Sequence, residues 1–155
     1  MRVHAGQKRE GVIRMACVAD AGHVSALYEH LGRRRAVEAR ELERFLAAAD
    51  QWLALYVPAG GEPAGLVAWC LWPAGLSFPR PLCFIQDLVV APDFRRQGIG
   101  SRLLGYARER GRGRGVRVFH LQASAGETPG LGEFYRRNGF EAKNQGFYAI
   151  EGPTQ

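Results

Sequence analysis

The stretch Phe94-Arg95-Arg96-Gln97-Gly98-Ile99-Gly100-Ser101 sets two arginines and a glutamine before a Gly-x-Gly, and a run of helical spacing follows it. The first N–H groups of a helix have no intrahelical partner, and the helix dipole adds roughly half a positive charge at that end. Gly98 and Gly100 carry no Cβ, so a ligand can come close to the backbone. Arg95 and Arg96 can add charge-assisted hydrogen bonds. The chemistry these residues suit is the holding of an anion, a phosphate first of all. Two common phosphate motifs are excluded. Gly98-Ile99-Gly100 is followed by Ser101-Arg102-Leu103, without the third glycine of a dinucleotide fingerprint, and no Gly-Lys-Ser/Thr follows as in a P-loop. Taken alone, the turn reads equally well as a glycine-rich bend on a basic surface.

Other reactive side chains form no cluster. His4, His23, His30 and His120 are scattered, none at metal-ligand spacing with a cysteine or carboxylate, so no metal is expected. Cys17, Cys70 and Cys83 have no paired spacing and read as reduced thiols of a cytoplasmic protein. The chain has 155 residues, 46% of them hydrophobic, enough for one domain with a sizeable core. Its net charge of +6 favours an anionic partner. No apolar run is long enough to cross a membrane. MRVHAGQKREG, residues 1–11, lacks the apolar core of a signal peptide and is expected to be a loose arm before a single domain at 12–155.

The elements that must position the turn follow from hydrophobic spacing. VIRMACV (12–18) reads as a first strand, and Asp20 as the cap of a helix with Val24, Leu27, Tyr28 and Leu31 on one face. A second helix carries Leu42, Phe45, Leu46 and Ala49. WLALYV (52–57) and AGLVAWCLW (64–72) flank a Pro/Gly-rich hairpin turn. LCFIQDLVV (82–90) is a strongly apolar, central strand stopped by Ala91-Pro92-Asp93. Strict alternation groups Asp87 with Ile85 and Val89 on one face and Gln86 with Leu88 on the other, an arrangement that a bulge would change. A third helix spans about Gly98 to Arg110, VRVFHLQ (116–122) is a strand, and a short helix holding Leu131, Phe134 and Tyr135 ends at Gly139. FEA and FYAI around Lys143–Gly146 read as a closing hairpin. The order is β-α-α-β-β-β-α-β-α-β-β.

A central strand ending in Val-Val-Ala-Pro-Asp-Phe, then Arg95-x-x-Gly98-x-Gly100, a helix, a strand and Phe134-Tyr135-Arg136-Arg137-Asn138-Gly139-Phe140 resembles the GNAT superfamily of acyl-CoA-dependent N-acetyltransferases. The resemblance covers about residues 12–150. It implies an α/β fold of the α+β kind: a mixed, mostly antiparallel sheet of about six to seven strands flanked by about four helices. It also implies direct transfer of an acetyl group from acetyl-CoA to a primary amine, with no metal.

Site residues carry over position by position. In that family the amides of the signature turn hold the pyrophosphate of coenzyme A, which places Arg95, Arg96, Gln97, Gly98, Ile99, Gly100 and Ser101 at the cofactor. The end of the preceding strand pairs with the pantetheine arm, matching Leu88, Val89 and Val90. Tyr135 matches the frequent general acid, which protonates the departing thiolate. Relatives often draw the general base from a carboxylate on the central strand, and Asp87 is the one there, with Gln86 able to orient a water and His120 as the other candidate. Where many relatives carry an asparagine that contacts the cofactor arm, this chain has Thr128.

Two readings compete with the enzyme. One is an acyl-CoA-binding protein without turnover. The other is a nucleic-acid binder using ERGRGRGVR (109–117), a tract that is short and carries no aromatic before Phe119. The acceptor is expected at the segment between the first two helices, the 73–81 loop and the terminal hairpin, and a small amine, amino-acid derivative or peptide N-terminus is favoured. The resemblance also admits a homodimer.

Overall fold

The computed structural model describes residues 10–32, 35–122 and 129–143. They divide into two compact units, Met1–Gln122 and Ala123–Gln155. The first unit holds β1 (Gly11–Met15), α1 (Ala21–Glu29), α2 (Ala39–Ala47), β2 (Gln51–Pro58), β3 (Gly65–Trp72), β4 (Leu82–Val90), α3 (Ile99–Arg112) and β5 (Val118–Leu121). The second holds α4 (Leu131–Arg137). The expected element order is met through α4. Five strands stand among the described residues instead of six to seven. Of the expected closing hairpin, FEA is irregular and FYAI lies outside the described residues.

The sheet runs β1-β2-β3-β4-β5, antiparallel except for the parallel pair β4–β5. Residues 54–56 of β2 and 65–69 of β3 are buried without a break, as expected of strands covered on both faces. One face carries α1 and α2, whose Val24, Leu27 and Leu42 pack with Leu53, Leu55, Leu66, Ala68 and Val89. The spacing of those helix residues is the reason: positions three and four apart share one side of a helix. The other face carries α3, through the buried Ile99, Leu103, Leu104 and Ala107. Its close approach is made at Gly65, where a Cβ would meet Leu103 Cδ1 at 3.1 Å, Val89 O at 3.1 Å and Ile99 Cγ2 at 3.4 Å.

β4 contains an irregularity that matters for the site. Ala68 and Trp69, adjacent on β3, pair with Asp87 and Ile85, which are two apart on β4, so Gln86 is an extra residue. Partners in a ladder share a face and successive residues alternate. Ile85 therefore lies with Trp69 on the α3 side, and Asp87 lies with Ala68 on the α1–α2 side. The strict alternation expected for Ile85 and Asp87 fails because the bulge removes one step of the pleat.

Asp20 also departs from expectation. It stands at the first position before α1, but its carboxylate makes no bond to the helix amides. It takes both guanidinium nitrogens of Arg14, each at 2.8 Å, and the Cys17 N–H at 2.8 Å. Only 4% of Asp20 is exposed, and a buried carboxylate must be paired. The cap bond loses to a bidentate ion pair that ties β1 to the start of α1. Arg14, followed by burial opposing it and the Cys17 amide, holds the Asp20 carboxyl far below the usual carboxylate range. A depressed folded-state pKa stabilises above the unfolded value, ~4, and that contribution drains away as the pH falls below it. Asp20→Asn should cost about 1–2 kcal/mol at pH 7, since the Arg14 left behind is half exposed, and the gap to the wild type should shrink steadily below about pH 4. Urea denaturation at pH 7, 4 and 3 measures both values.

Candidate active site

The glycine turn is built by the stop at the end of β4. Ala91 N–H donates to Ala64 O at 2.9 Å, the last rung to β3. Pro92–Phe94 then form a single 3-10 turn with proline at its start, where the missing N–H costs nothing. Arg96 sits in the left-handed region at φ 58°, and Gly98 follows at φ 77°. Gly98 is the residue preceding α3, and no side chain caps the helix there. The first intrahelical bond is Arg102 N–H to Gly98 O at 3.1 Å. The amides of Ile99, Gly100 and Ser101 precede that ladder, so they are the orphan donors of the helix start. Gly98 and Ser101 are exposed, and a Cβ at Gly98 would meet nothing within 4 Å.

Two of the side chains expected at phosphate also brace the loop. Arg95 Nε donates to Val90 O at 3.0 Å, and Gln97 Nε2 donates to Asp93 O at 3.2 Å. The left-handed geometry at Arg96 is strained for a residue with a Cβ, and these two bonds help to hold it. Neither bracing role was legible in the sequence, because each depends on the loop folding back on the strand end.

The strand edge leading into this turn outruns its β5 partner among the described residues. β5 pairs with β4 only from Leu82↔Val118 to Ile85↔Leu121. Beyond the bulge, Asp87–Val90 pair with β3 alone among the described residues. In an antiparallel ladder, alternate residues turn their polar groups to opposite sides. Since Ala91 donates toward β3, Val90 and Leu88 turn outward, and Arg95 on the Val90 carbonyl agrees with this. The Val89 side chain is buried in the α1–α2 core while Leu88 and Val90 are half-buried. Backbone presentation and side-chain packing therefore coexist on one short segment.

Asp87 is half-buried, and Tyr28 donates its hydroxyl to Oδ2 at 2.8 Å. Tyr28 was read from the sequence as one of four core positions on α1. Its hydroxyl on an otherwise apolar stripe was the signal that it had a polar partner to find. His120 is exposed and stacks on Phe84 with ring centroids 5.1 Å apart. Gln86, the bulged residue, is exposed.

The second unit presents Tyr135 on α4. Gly139 has φ 81°. Its N–H bonds to Arg136 O at 2.9 Å, and Phe140 N–H bonds to Tyr135 O at 3.0 Å. Those two bonds define a Schellman ending, which joins a glycine in the left-handed region to an apolar contact across the last turn. That contact is between the rings of Phe140 and Tyr135, 6.0 Å apart, with Phe134 meeting Tyr135 at 5.2 Å on another side. The Gly139 expected at the helix end is thus the device that sets Phe140 against Tyr135. Burial pushes the Tyr135 phenol up from its ordinary value. Thr128 lies outside the described residues.

No group of three or more metal-ligating side chains occurs among the described residues. No helix among them is long and apolar enough to cross a membrane.

Comparison with known proteins agrees with this architecture. Residues 23–140 match the model of the acetyltransferase (GNAT) family. An uncharacterized N-acetyltransferase of Methanocaldococcus jannaschii is 40% identical over 84 residues, which are 54% of this chain and 36% of that protein. The chain thus spans about a third of that relative's length. A structure described as a transcriptional regulator from Bacillus halodurans C-125 superposes with a TM-score of 0.80 at 24% identity, covering 92% of this chain and 100% of that one. An aminoglycoside N-acetyltransferase solved in complex with CoA gives 0.78 at 18% identity, covering 92% and 95%. At such identities the two structures show the fold alone, and the family match supplies the rest. Since that match takes in most of the sequence, including the glycine turn and the Tyr135 helix, the chain belongs to the acetyltransferase (GNAT) family.

Proposed function

We propose that the chain moves an acetyl group from acetyl-CoA directly to a primary amine of a small molecule or peptide, within one domain. The observation that carries this is the end of β4, Leu88–Val90, which has no β5 partner among the described residues and runs straight into an uncapped helix start. An amide-containing arm ending in a pyrophosphate needs both features in that order. The outward groups of Leu88 and Val90 pair with the pantetheine amides as an added strand would. The amides of Ile99, Gly100 and Ser101 receive the pyrophosphate, and the guanidinium groups of Arg95 and Arg96 add charge beside it.

The reaction needs a neutral nitrogen and a protonated leaving group. Asp87, steadied by the Tyr28 hydroxyl, takes a proton from the acceptor ammonium, directly or through a water held near Gln86. The nitrogen attacks the thioester carbonyl, a C–N bond forms, and the C–S bond breaks. Tyr135 donates its phenolic proton to the departing sulfur and is restored from the nitrogen's remaining proton through solvent. One amide and one thiol result, with one proton released when the amine enters charged. A phenol pushed up by burial stays protonated at neutral pH, as an acid must. Thr128 is assigned to the pantetheine arm.

Two experiments test this reading. Acetyl-CoA should raise the Tm of the wild type by mass action. Gly98→Val should cost about 2 kcal/mol for its left-handed backbone, remain folded because α3 is held by its buried face, and lose the acetyl-CoA shift. A folded variant with an undiminished shift removes the pyrophosphate assignment. In the second, Tyr135→Phe should leave acetyl-CoA affinity within about threefold while kcat falls by roughly 10²-fold. The loss should narrow with a thioester whose thiol is the better leaving group. Steady-state kinetics beside a binding titration reads both, and an unchanged kcat hands proton delivery to water.

A further inference from the structure

The face of the sheet that carries Asp87 also holds a cavity of about 450 Å³ beneath α1 and α2. Val24, Val37, Leu42, Phe45 and Leu53 form its apolar wall. Its roof is fixed: Ser25 Oγ accepts from Val37 N–H at 2.8 Å and is also within 2.9 Å of Ala21 O and 3.2 Å of Val37 O. Tyr28 lines one side, and that same residue bonds to Asp87. Leu53, Ala68 and Asp87 form one row across β2, β3 and β4. Leu53 and Asp87 are therefore two strand spacings apart, ~10 Å, and the residue between them contributes only a methyl group. Tyr28 is the residue shared by the cavity wall and the bond to the carboxylate.

Glu41 and Arg35 complete the lining. Arg35 pairs with Glu41 Oε1. Glu41 Oε2 is buried and finds no hydrogen-bond partner among the described residues. A buried acceptor left empty is costly, and a ligand that brings a donor repairs it.

We infer that this cavity receives the acceptor, and that the acceptor is a primary amine on an apolar body with a hydrogen-bond donor at its far end. The inference rests on the transfer reaction proposed above and adds which amine it uses. The amine reaches Asp87 beside the Tyr28 hydroxyl, the apolar body fills the space over Leu53, and the distal donor meets Glu41 Oε2. A polycation or an amino sugar has no match for the five apolar wall residues, because burying its polar groups there leaves them unpaired.

Tyramine and phenethylamine differ by one distal hydroxyl, so they isolate the role of Glu41. Thiol release from acetyl-CoA should show both preferred over spermidine and glucosamine by about tenfold or more in kcat/KM, with tyramine ahead. Glu41→Ala should erase tyramine's lead over phenethylamine. Val37→Trp, on the segment between the helices, should fill the cavity and raise the tyramine KM about tenfold or more, with the acetyl-CoA-induced Tm shift kept. Calorimetric titration of tyramine into the CoA complex reads the cavity without turnover and should show binding that Val37→Trp abolishes. Preference for spermidine or glucosamine, or a Val37→Trp variant that binds tyramine normally, overturns the acceptor assignment and leaves the transferase reading standing. Absence of thiol release with every amine, together with no acetyl-CoA shift, overturns both.

Discussion

One unpaired residue in β4 organises the first unit. Gln86 has no counterpart on β3, and the pairing with β5 ends one residue before it, at Ile85. The insertion rotates the rest of the strand by one step of the pleat. Asp87 is thereby turned from the α3 side to the side of α1 and α2, where Tyr28 meets it. Among the described residues, Asp87–Val90 pair with β3 and with no strand on the β5 side. The placing of Asp87 on the α1–α2 side and the end of the β5 pairing thus meet at one local irregularity.

The helix that follows must carry a second tension, because its start is uncapped and its lead-in is strained at Arg96. An unsatisfied helix start and a left-handed arginine each cost on the order of a kcal/mol. The offset comes from the opposite face of the sheet. Leu103, Leu104 and Ala107 are fully buried, each buried leucine contributing about 2 kcal/mol, and Gly65 allows the helix to come close enough for that contact. Burial wins over the strained turn, so the amides remain available without the fold depending on a ligand. Arg95 and Gln97 spend part of their hydrogen bonding on the loop itself, so both support the turn, and Arg95 also gives it charge.

The remaining pieces are held by local chemistry. The Schellman ending of α4 uses a left-handed glycine to bring Phe140 onto Tyr135, so the tyrosine's orientation within its unit is set by seven consecutive residues. The pair of Arg14 and Asp20 joins β1 to α1. It anchors the helix that carries Tyr28, and so links the edge strand to the carboxylate that Tyr28 steadies.

Much of this was legible in the linear sequence because its physical cause is local. Residue spacing shows which side of α1, α2 and α3 is apolar, since a helix repeats every three to four residues. The β4 boundaries, the stop at Pro92, the glycine turn and the Gly139 helix end all follow from side chains acting on their own backbone. What the sequence could not determine was every feature that depends on two distant segments meeting. The bulge at Gln86 exists only relative to β3, and it parts Asp87 and Val89 from Ile85, with which strict alternation groups them. Asp20 abandoned its cap because Arg14, six residues away, offered two charged donors. Tyr28 became a partner of Asp87 across 59 positions of chain. Periodicity records what each residue does to its neighbours in the chain. It carries no register between strands and no choice among competing partners, and the tertiary structure alone decides those.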